Sequence, residues 1–223
     1  KTPQGGAAGK EVTNAVEKLL FKRKVKSLSL EDAKKRRLLK VEDLSTDYLK
    51  FLKDYVIISR LKKMKLNVVV DLMYGSGNDY IERILKGSKI KFSYLHNEFN
   101  PSFGGRHPEP TEENLPELIK EMKSGKFDLG IALDGDGDRI ACVLKGGRYV
   151  NAQVLLPLLA VHLVKNHKMS GAIVKTVVGS DLIDVVAMDL NRMLFETPVG
   201  FKYISHLFQN EDIVIGGEEA GGI

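Results

Sequence analysis

One cysteine, Cys142, is all that 223 residues offer for sulfur chemistry. No disulfide can form within the chain, and a reducing cytoplasm is the compartment that fits best. No apolar run approaches the roughly 20 residues that cross a bilayer, so no membrane partner is expected. The opening KTPQGGAAGKEV lacks the apolar core of a secretory signal. Metal-ligand spacing is also missing from the histidines His96, His162, His167 and His206. His162 and His167 stand five apart on an expected helix, not at the four-residue spacing of a zinc pair. The segment GSGND (75–79) lacks the lysine of a P-loop. Ser76 and Ser180, each following glycine at a turn, read as helix N-caps.

Charge of one sign is not strongly in excess. The net charge is +5, from 34 basic and 29 acidic residues. The excess is concentrated in FKRKVKSLSLEDAKKRRLLK, residues 21–40, where Phe21 is the sole aromatic. A nucleic-acid reader would interleave aromatics or show a named motif. A solvated basic helix and linker is the better reading, and no nucleic-acid partner is expected. What is present, 43% apolar and 28% charged residues, is the balance of a soluble globular protein with one large or two ordinary domains.

Along the chain, KEVTNAVEKLLF (10–21) sets Val12, Val16, Leu19 and Leu20 on one helical stripe. STDYLKFLKDYVIISRL (45–61) repeats that spacing with Tyr48, Leu49, Leu52, Val56 and Ile57, and Ser45 stands where an N-cap would. The grammar then changes. NVVVDLMYGSGNDYIERIL (67–85) and AIVKTVVGSDLIDVVAMDL (172–190) each give a β-branched run, a Gly-Ser turn and a helix-like segment. Each is followed by a further strand, and then by a strand entering an acidic, glycine-rich loop. These are FDLGIALDGDGDR and DIVIGGEEAGG. The expected class is α/β: two tandem similar domains with mixed, mostly parallel sheets covered by helices. The expected divisions are 1–41, a helix and basic linker; 42–147, with the first acidic loop; and 148–223, with the second. IACVL (140–144) suits a hairpin partner of the preceding strand. AQVLLPLLAVHLVKNH (152–167) suits a helix with Pro157 in its first turn or at a kink.

The first acidic loop carries the chemistry. Residues two apart in an extended segment point the same way, so Asp134, Asp136 and Asp138 converge. Gly135 and Gly137 are expected to supply the unusual backbone angles of the curl. Carboxylates this close would partly protonate without a cation, and hard oxygen donors favour magnesium or calcium. An EF-hand also begins D-x-D-x-D, but it needs glycine and glutamate where Arg139 and Lys145 stand. A haloacid-dehalogenase-type phosphatase, with an aspartate nucleophile in D-x-D-x-[TV], fits all but Asp138. Arg139 adds a fork able to bind phosphate. The local chemistry is metal-assisted phosphoryl transfer. Arg106 and His107, in a Pro/Gly-rich loop, read as surface residues, and Cys142 as buried packing.

These residues resemble a known family. DGDGDR (134–139) is similar to the magnesium loop of the α-D-phosphohexomutases, the phosphoglucomutases and phosphomannomutases. GGEEAGG (216–222) resembles their G-E-x-S-G sugar loop, TPVGFKYI (197–204) their substrate-recognition loop, and TPQGGAAGKEVTNAVEKL (2–19) the stretch after their phosphoserine loop. The resemblance implies that Asp134, Asp136 and Asp138 hold Mg²⁺ and that Arg139 stabilises the catalytic charge network. It further implies that Glu218 accepts hydrogen bonds from sugar hydroxyls, with Gly200, Lys202, Ala220 and Lys175 also at the substrate. The implied reaction interconverts hexose 1-phosphate and hexose 6-phosphate through a phosphoserine and a bisphosphorylated sugar. Ala220 replaces the sugar loop's serine. No T-A-S-H-N-P-like serine loop and no R-x-S-x-T-E-P-like phosphate loop is found. The chain therefore reads as an internal piece of a longer enzyme, partnered by its first and fourth domains and inactive alone. A magnesium-dependent phosphatase and a non-catalytic sugar-phosphate-binding module are the alternatives.

Overall fold

The structure, a computed structural model, describes residues 5–56, 58–77 and 79–223. Ile57, Asn78 and the Thr2–Gln4 part of the stretch likened to the serine-loop tail lie outside the described residues. Residues 1–57 and 58–223 form two compact units.

The described residues of the first unit form three short helices, α1 (Lys10–Glu17), α2 (Leu30–Lys35) and α3 (Ser45–Tyr55). α1 ends early, so Leu19 and Leu20 of the expected stripe fall in the turn beyond it, and all four stripe residues are exposed. The basic residues between 22 and 40 are exposed throughout. Ser45 is not the cap of α3. It is the first helical residue, and Asp43 Oδ1 accepts its amide at 2.8 Å, so a carboxylate two residues earlier satisfies that helix-start donor.

In the second unit α4 (Ile58–Leu61) leads into β1 (Asn67–Asp71). The Val-Val-Val run of β1 is buried, as suits a central strand covered on both faces. β2 (Lys91–Leu95) and β3 (Leu129–Leu133) flank it in parallel, with Val68 opposite Phe92 on one side and Leu129 on the other. β4 (Ile140–Leu144) returns antiparallel to β3, the hairpin expected of IACVL, and β5 (Arg148–Val150) adds to β4. The order is β2-β1-β3-β4-β5. α5 (Tyr80–Ile84) and α6 (Pro116–Lys123) make the crossovers. Asp79, not Ser76, stands at the N-cap of α5. The Ser76 amide instead donates to the Gly135 carbonyl at 3.0 Å, docking this turn on the aspartate loop.

The second sheet repeats the pattern. After α7 (Ala152–Val161) come β6 (Ala172–Thr176), α8 (Asp181–Asp189), β7 (Leu194–Thr197), α9 (Phe201–Asn210) and β8 (Ile213–Gly217). The order β7-β6-β8, all parallel, has its first strand in the middle, like β2-β1-β3. The chain is thus α/β, with one mixed and one parallel sheet covered by helices. Ser180 caps α8, accepting the Leu182 amide at 3.2 Å. Pro157 stands mid-helix in α7 rather than in its first turn, leaving the Gln153 carbonyl without its helical donor. α7 then widens into a π turn, His162–Asn166.

Leu118 and Met122 of α6 pack on Val69, Ala132 and Val143, and Leu156, Ile183 and Ala187 pack on Ile173 and Ile215. Each fully buried leucine or isoleucine contributes about 1.5–3 kcal/mol. Cys142 is largely buried, and burial pushes its thiol up to about 11, which makes it packing rather than a nucleophile. No helix among the described residues is long and apolar enough to cross a membrane. What the two cores hold in place is a pair of carboxyl-terminal strand ends: β3 delivers Asp134 and β8 delivers Glu218.

Candidate active site

Residues 134–139 curl tightly at the end of β3. Gly137, at φ 77°, supplies a left-handed angle that other residues resist. Gly135 does not share that role; its φ is ordinary and its constraint is space. A Cβ there would lie 3.1 Å from Pro108 and 3.2 Å from the Phe103 ring. The expectation of two conformational glycines therefore reduces to one. Pro108 belongs to the HPEP segment that braces the loop. Its carbonyl accepts the Gly135 amide at 3.0 Å, and the Pro110 carbonyl accepts the Tyr149 hydroxyl at 2.8 Å.

Asp134 is 1% exposed. Its Oδ1 accepts the backbone amides of Asp138 and Arg139 at 2.9 and 3.1 Å, and its Oδ2 accepts Arg139 Nε at 2.8 Å. Burial by itself would raise this carboxyl. The backbone and side-chain hydrogen bonds from Arg139, with its charge, outweigh that and hold Asp134 below the ordinary carboxylate range. Asp138 goes the other way: partial burial, then the charges of Asp134 and Asp136, push its carboxyl up. One oxygen from each of Asp134, Asp136 and Asp138 lies within 4.8 Å of the others. That convergence, the all-oxygen donor set and the raised Asp138 carboxyl fit a hard divalent cation. Asp134 already accepts three donors, which leaves about one of its four acceptor sites for a cation.

The loop at the end of β8 faces this cluster. Ile140 donates to the Gly221 carbonyl at 3.1 Å, and Gly221, at φ 110°, would bring a Cβ to 3.2 Å from that of Arg139. The Glu218 amide donates to the Gly222 carbonyl at 2.8 Å, closing the loop on itself. Between the two loops opens a cleft of about 330 Å³, lined by Asp136, Asp138, Arg139, Phe201, Glu218, Ala220 and Gly222. Gly200, the N-cap of α9 at φ 129°, donates its amide to Glu218 Oε1 at 2.7 Å. The TPVGFKYI segment is thereby tied to the second acidic loop.

Of the residues singled out in the sequence, the structure brings Asp134, Asp136, Asp138, Arg139, Glu218 and Ala220 together, with Gly200 just behind Glu218. Lys202 is exposed, its ammonium 4.9 Å from the Tyr203 ring centroid. Lys175 is not part of the cleft. It is 4% exposed in β6, where its ammonium pairs with Asp184 of α8 and, at 3.8 Å, Glu196 of β7. Arg106 is taken up by a two-pronged pair with Glu117 at 2.5 Å, which holds the Glu117 carboxyl down at about 2.

Four contributors were not singled out in the sequence, three of them inside the quoted loops and Glu109 outside them. Phe201 and Gly222 line the cleft, and Glu219 Oε2 accepts the buried Thr176 hydroxyl at 2.9 Å. Glu109, from HPEP, accepts Arg139 Nη1 at 2.5 Å and so holds the far side of the guanidinium. Glu109 is 48% exposed, so Glu109→Gln should change stability by no more than about 1 kcal/mol. It should nonetheless loosen Arg139, and a several-fold loss of divalent-cation affinity by titration calorimetry is the expected signature.

Comparison with known proteins places this geometry. The family model for phosphoglucomutase/phosphomannomutase, alpha/beta/alpha domain II, matches residues 46–147, and that for domain III matches residues 151–223. A phosphoglucomutase/phosphomannomutase of Thermococcus kodakarensis is 30% identical over 223 residues, covering 99% of this chain and 48% of the relative. A protein of Methanosphaera stadtmanae named for phosphoglucosamine mutase is 32% identical over 180 residues, 80% of this chain and 38% of its own. A solved structure from Thermus thermophilus, named for phosphomannomutase, superposes with a TM-score of 0.87 at 29% identity, over 97% of this chain and 48% of that one. The chain spans about half the length, or less, of the relatives it matches. Two consecutive domain matches, in the order of the two sheets, establish that the chain belongs to the phosphoglucomutase/phosphomannomutase family.

Proposed function

We propose that this chain carries the metal-binding and sugar-binding parts of a phosphohexomutase that interconverts hexose 1-phosphate and hexose 6-phosphate. The observation that carries the reading is a single cleft with Asp136, Asp138 and Arg139 on one wall and Glu218 on the other. In this reading a phosphoserine, borne by a segment outside these 223 residues, transfers its phosphoryl group to the sugar monophosphate. The bisphosphate turns over and returns a phosphoryl group from its other end. Asp134, Asp136 and Asp138 would hold Mg²⁺, which when bound neutralises charge on the transferring phosphoryl group.

The roles of the remaining residues follow from their contacts. Arg139 has Nε on Asp134 and Nη1 on Glu109, which presents its outer edge to a phosphate oxygen at a fixed angle. Glu218 has Oε1 on the Gly200 amide and offers Oε2 to sugar hydroxyls. Lys202, exposed on the tied loop, would reach the substrate. Lys175, already neutralised by Asp184 and Glu196, is assigned no substrate contact. An aspartyl phosphatase would need Asp134 as a free nucleophile, and burial under three hydrogen bonds argues against that use.

Turnover of glucose 1-phosphate and mannose 1-phosphate by the longer protein, each with and without Mg²⁺, tests the reading. Magnesium-dependent isomerisation supports it, and hydrolysis to free sugar would replace it. Ala220 is exposed at the cleft wall. Ala220→Ser adds a hydroxyl whose hydrogen bond to a sugar is worth about 0.5–1.5 kcal/mol. KM for the preferred sugar phosphate should fall by about 2- to 12-fold with the fold unaltered.

A further inference from the structure

The π turn that ends α7 brings together two side chains that an α-helix would hold apart. Five residues separate His162 and His167, and the wider turn returns the chain so that their rings meet edge to face at 4.8 Å. Their Nε2 atoms lie 3.2 Å apart. On the opposite edge of the His162 ring, the Asn166 side-chain amide lies 2.9 Å from Nδ1. His162 and Asn166 are exposed and His167 is half-buried, so the pair is open to solvent and also braced.

We propose that His162 and His167 form a chelating site for a borderline divalent transition-metal ion, zinc above all, separate from the aspartate loop. The distance carries the inference. Two zinc–nitrogen bonds of about 2.0–2.1 Å at the tetrahedral angle set their nitrogens about 3.3–3.4 Å apart, and the observed spacing needs almost no adjustment. Imidazole nitrogen prefers zinc, copper or nickel, whereas the carboxylate cluster prefers magnesium. The two sites therefore sort their ions by donor type.

Without metal, one Nε2–H donates to the other Nε2. With metal, both Nε2 atoms present lone pairs, and the displaced proton moves to Nδ1 of the same ring. For His162 that proton stays on Nδ1, whose N–H donates to Asn166 once the amide turns to offer its oxygen, so the ring stays oriented as metal-bound histidines require. Lys165 and Lys168 lie on either side in sequence and are exposed. Their charge makes this a site of moderate affinity, completed by water or by a ligand from outside the turn.

The test is a calorimetric titration of the full chain with Zn²⁺ in excess Mg²⁺, with Mg²⁺ occupying the aspartate loop. One zinc equivalent is expected. His162→Ala and His167→Ala should each weaken it by about 100-fold, the loss of a second linked contact. Asn166→Ala should weaken it by about tenfold, and Asp136→Asn should leave it unchanged. Nitrogen NMR of the imidazoles in the unaltered protein provides a readout independent of any variant. Zinc should shift Nε2 of His162 and His167 together and spare His96 and His206. Zinc that perturbs only one of the pair, or that is retained in His167→Ala, overturns the site.

Discussion

Asp134→Ala should cost the fold about 3 kcal/mol in urea unfolding, while Asp136→Asn should cost no more than about 0.5 kcal/mol. The two aspartates stand two residues apart and point toward the same cation position, yet their surroundings differ. Asp134 is 1% exposed and ties two amides and the Arg139 guanidinium into the curl. Its removal leaves those donors without their anion, the situation in which a buried pair costs about 3–5 kcal/mol. The low end applies because Arg139 is 30% exposed. Asp136 is exposed and makes no such bonds, so its change falls in the range of ordinary surface substitutions. Divalent-cation binding should weaken in both variants. Only in Asp136→Asn does it do so in a fully folded protein. Equal destabilisation by the two would remove the distinction between a carboxylate that builds the loop and one that serves its ion.

The 223-residue chain on its own should turn over neither glucose 1-phosphate nor mannose 1-phosphate, to the detection limit of a coupled assay, while still binding Mg²⁺. Phosphoryl transfer is almost wholly positioning and charge stabilisation. The cleft lining holds the carboxylates of Asp136, Asp138 and Glu218 and the Arg139 guanidinium, and none of its described lining residues is a serine nucleophile. The three aspartates proposed to hold the cation lie within five residues, 134–138, so metal binding should not depend on the rest of the machinery. Mutase turnover by the chain alone would mean that a serine among these residues carries the phosphoryl group, and the proposed division of labour would fall. Loss of Mg²⁺ binding together with activity would instead indicate that the loop needs further residues to form.

Some of this was readable from residue order and some was not, for identifiable reasons. The aspartate loop was legible because period-two carboxylates with intervening glycine and a following arginine leave few alternatives. The duplicated unit was legible because strand, Gly-Ser turn and helix recur in the same order. The same Gly-Ser turns misled at Ser76. A serine before a helix reads as a cap, but its amide is drawn to Gly135, and the helix begins later at Tyr80. Glu109 was invisible because its partner Arg139 lies 30 residues on. Only the tertiary docking of HPEP joins them, and prolines flanking a carboxylate are a faint signal. Lys175 lay in an apolar strand pattern, where it could emerge at the strand's end or snorkel from the sheet. The strand is buried along its whole length, and the choice fell to Asp184 and Glu196. His162 and His167 were set aside on α-helical spacing, which the π turn replaces.

One cleft is proposed to serve both the cation and the sugar. Mn²⁺ substitutes for Mg²⁺ at oxygen sites and broadens the NMR signals of nearby nuclei. Titrated into the labelled chain, it should bleach the amide signals of residues 135–139 and, at the same added concentration, those of Glu218, Ala220 and Gly222. Asp136→Asn should weaken both effects together. Bleaching confined to the aspartate loop, with the Glu218 loop untouched, would separate the two walls and contradict the proposed site.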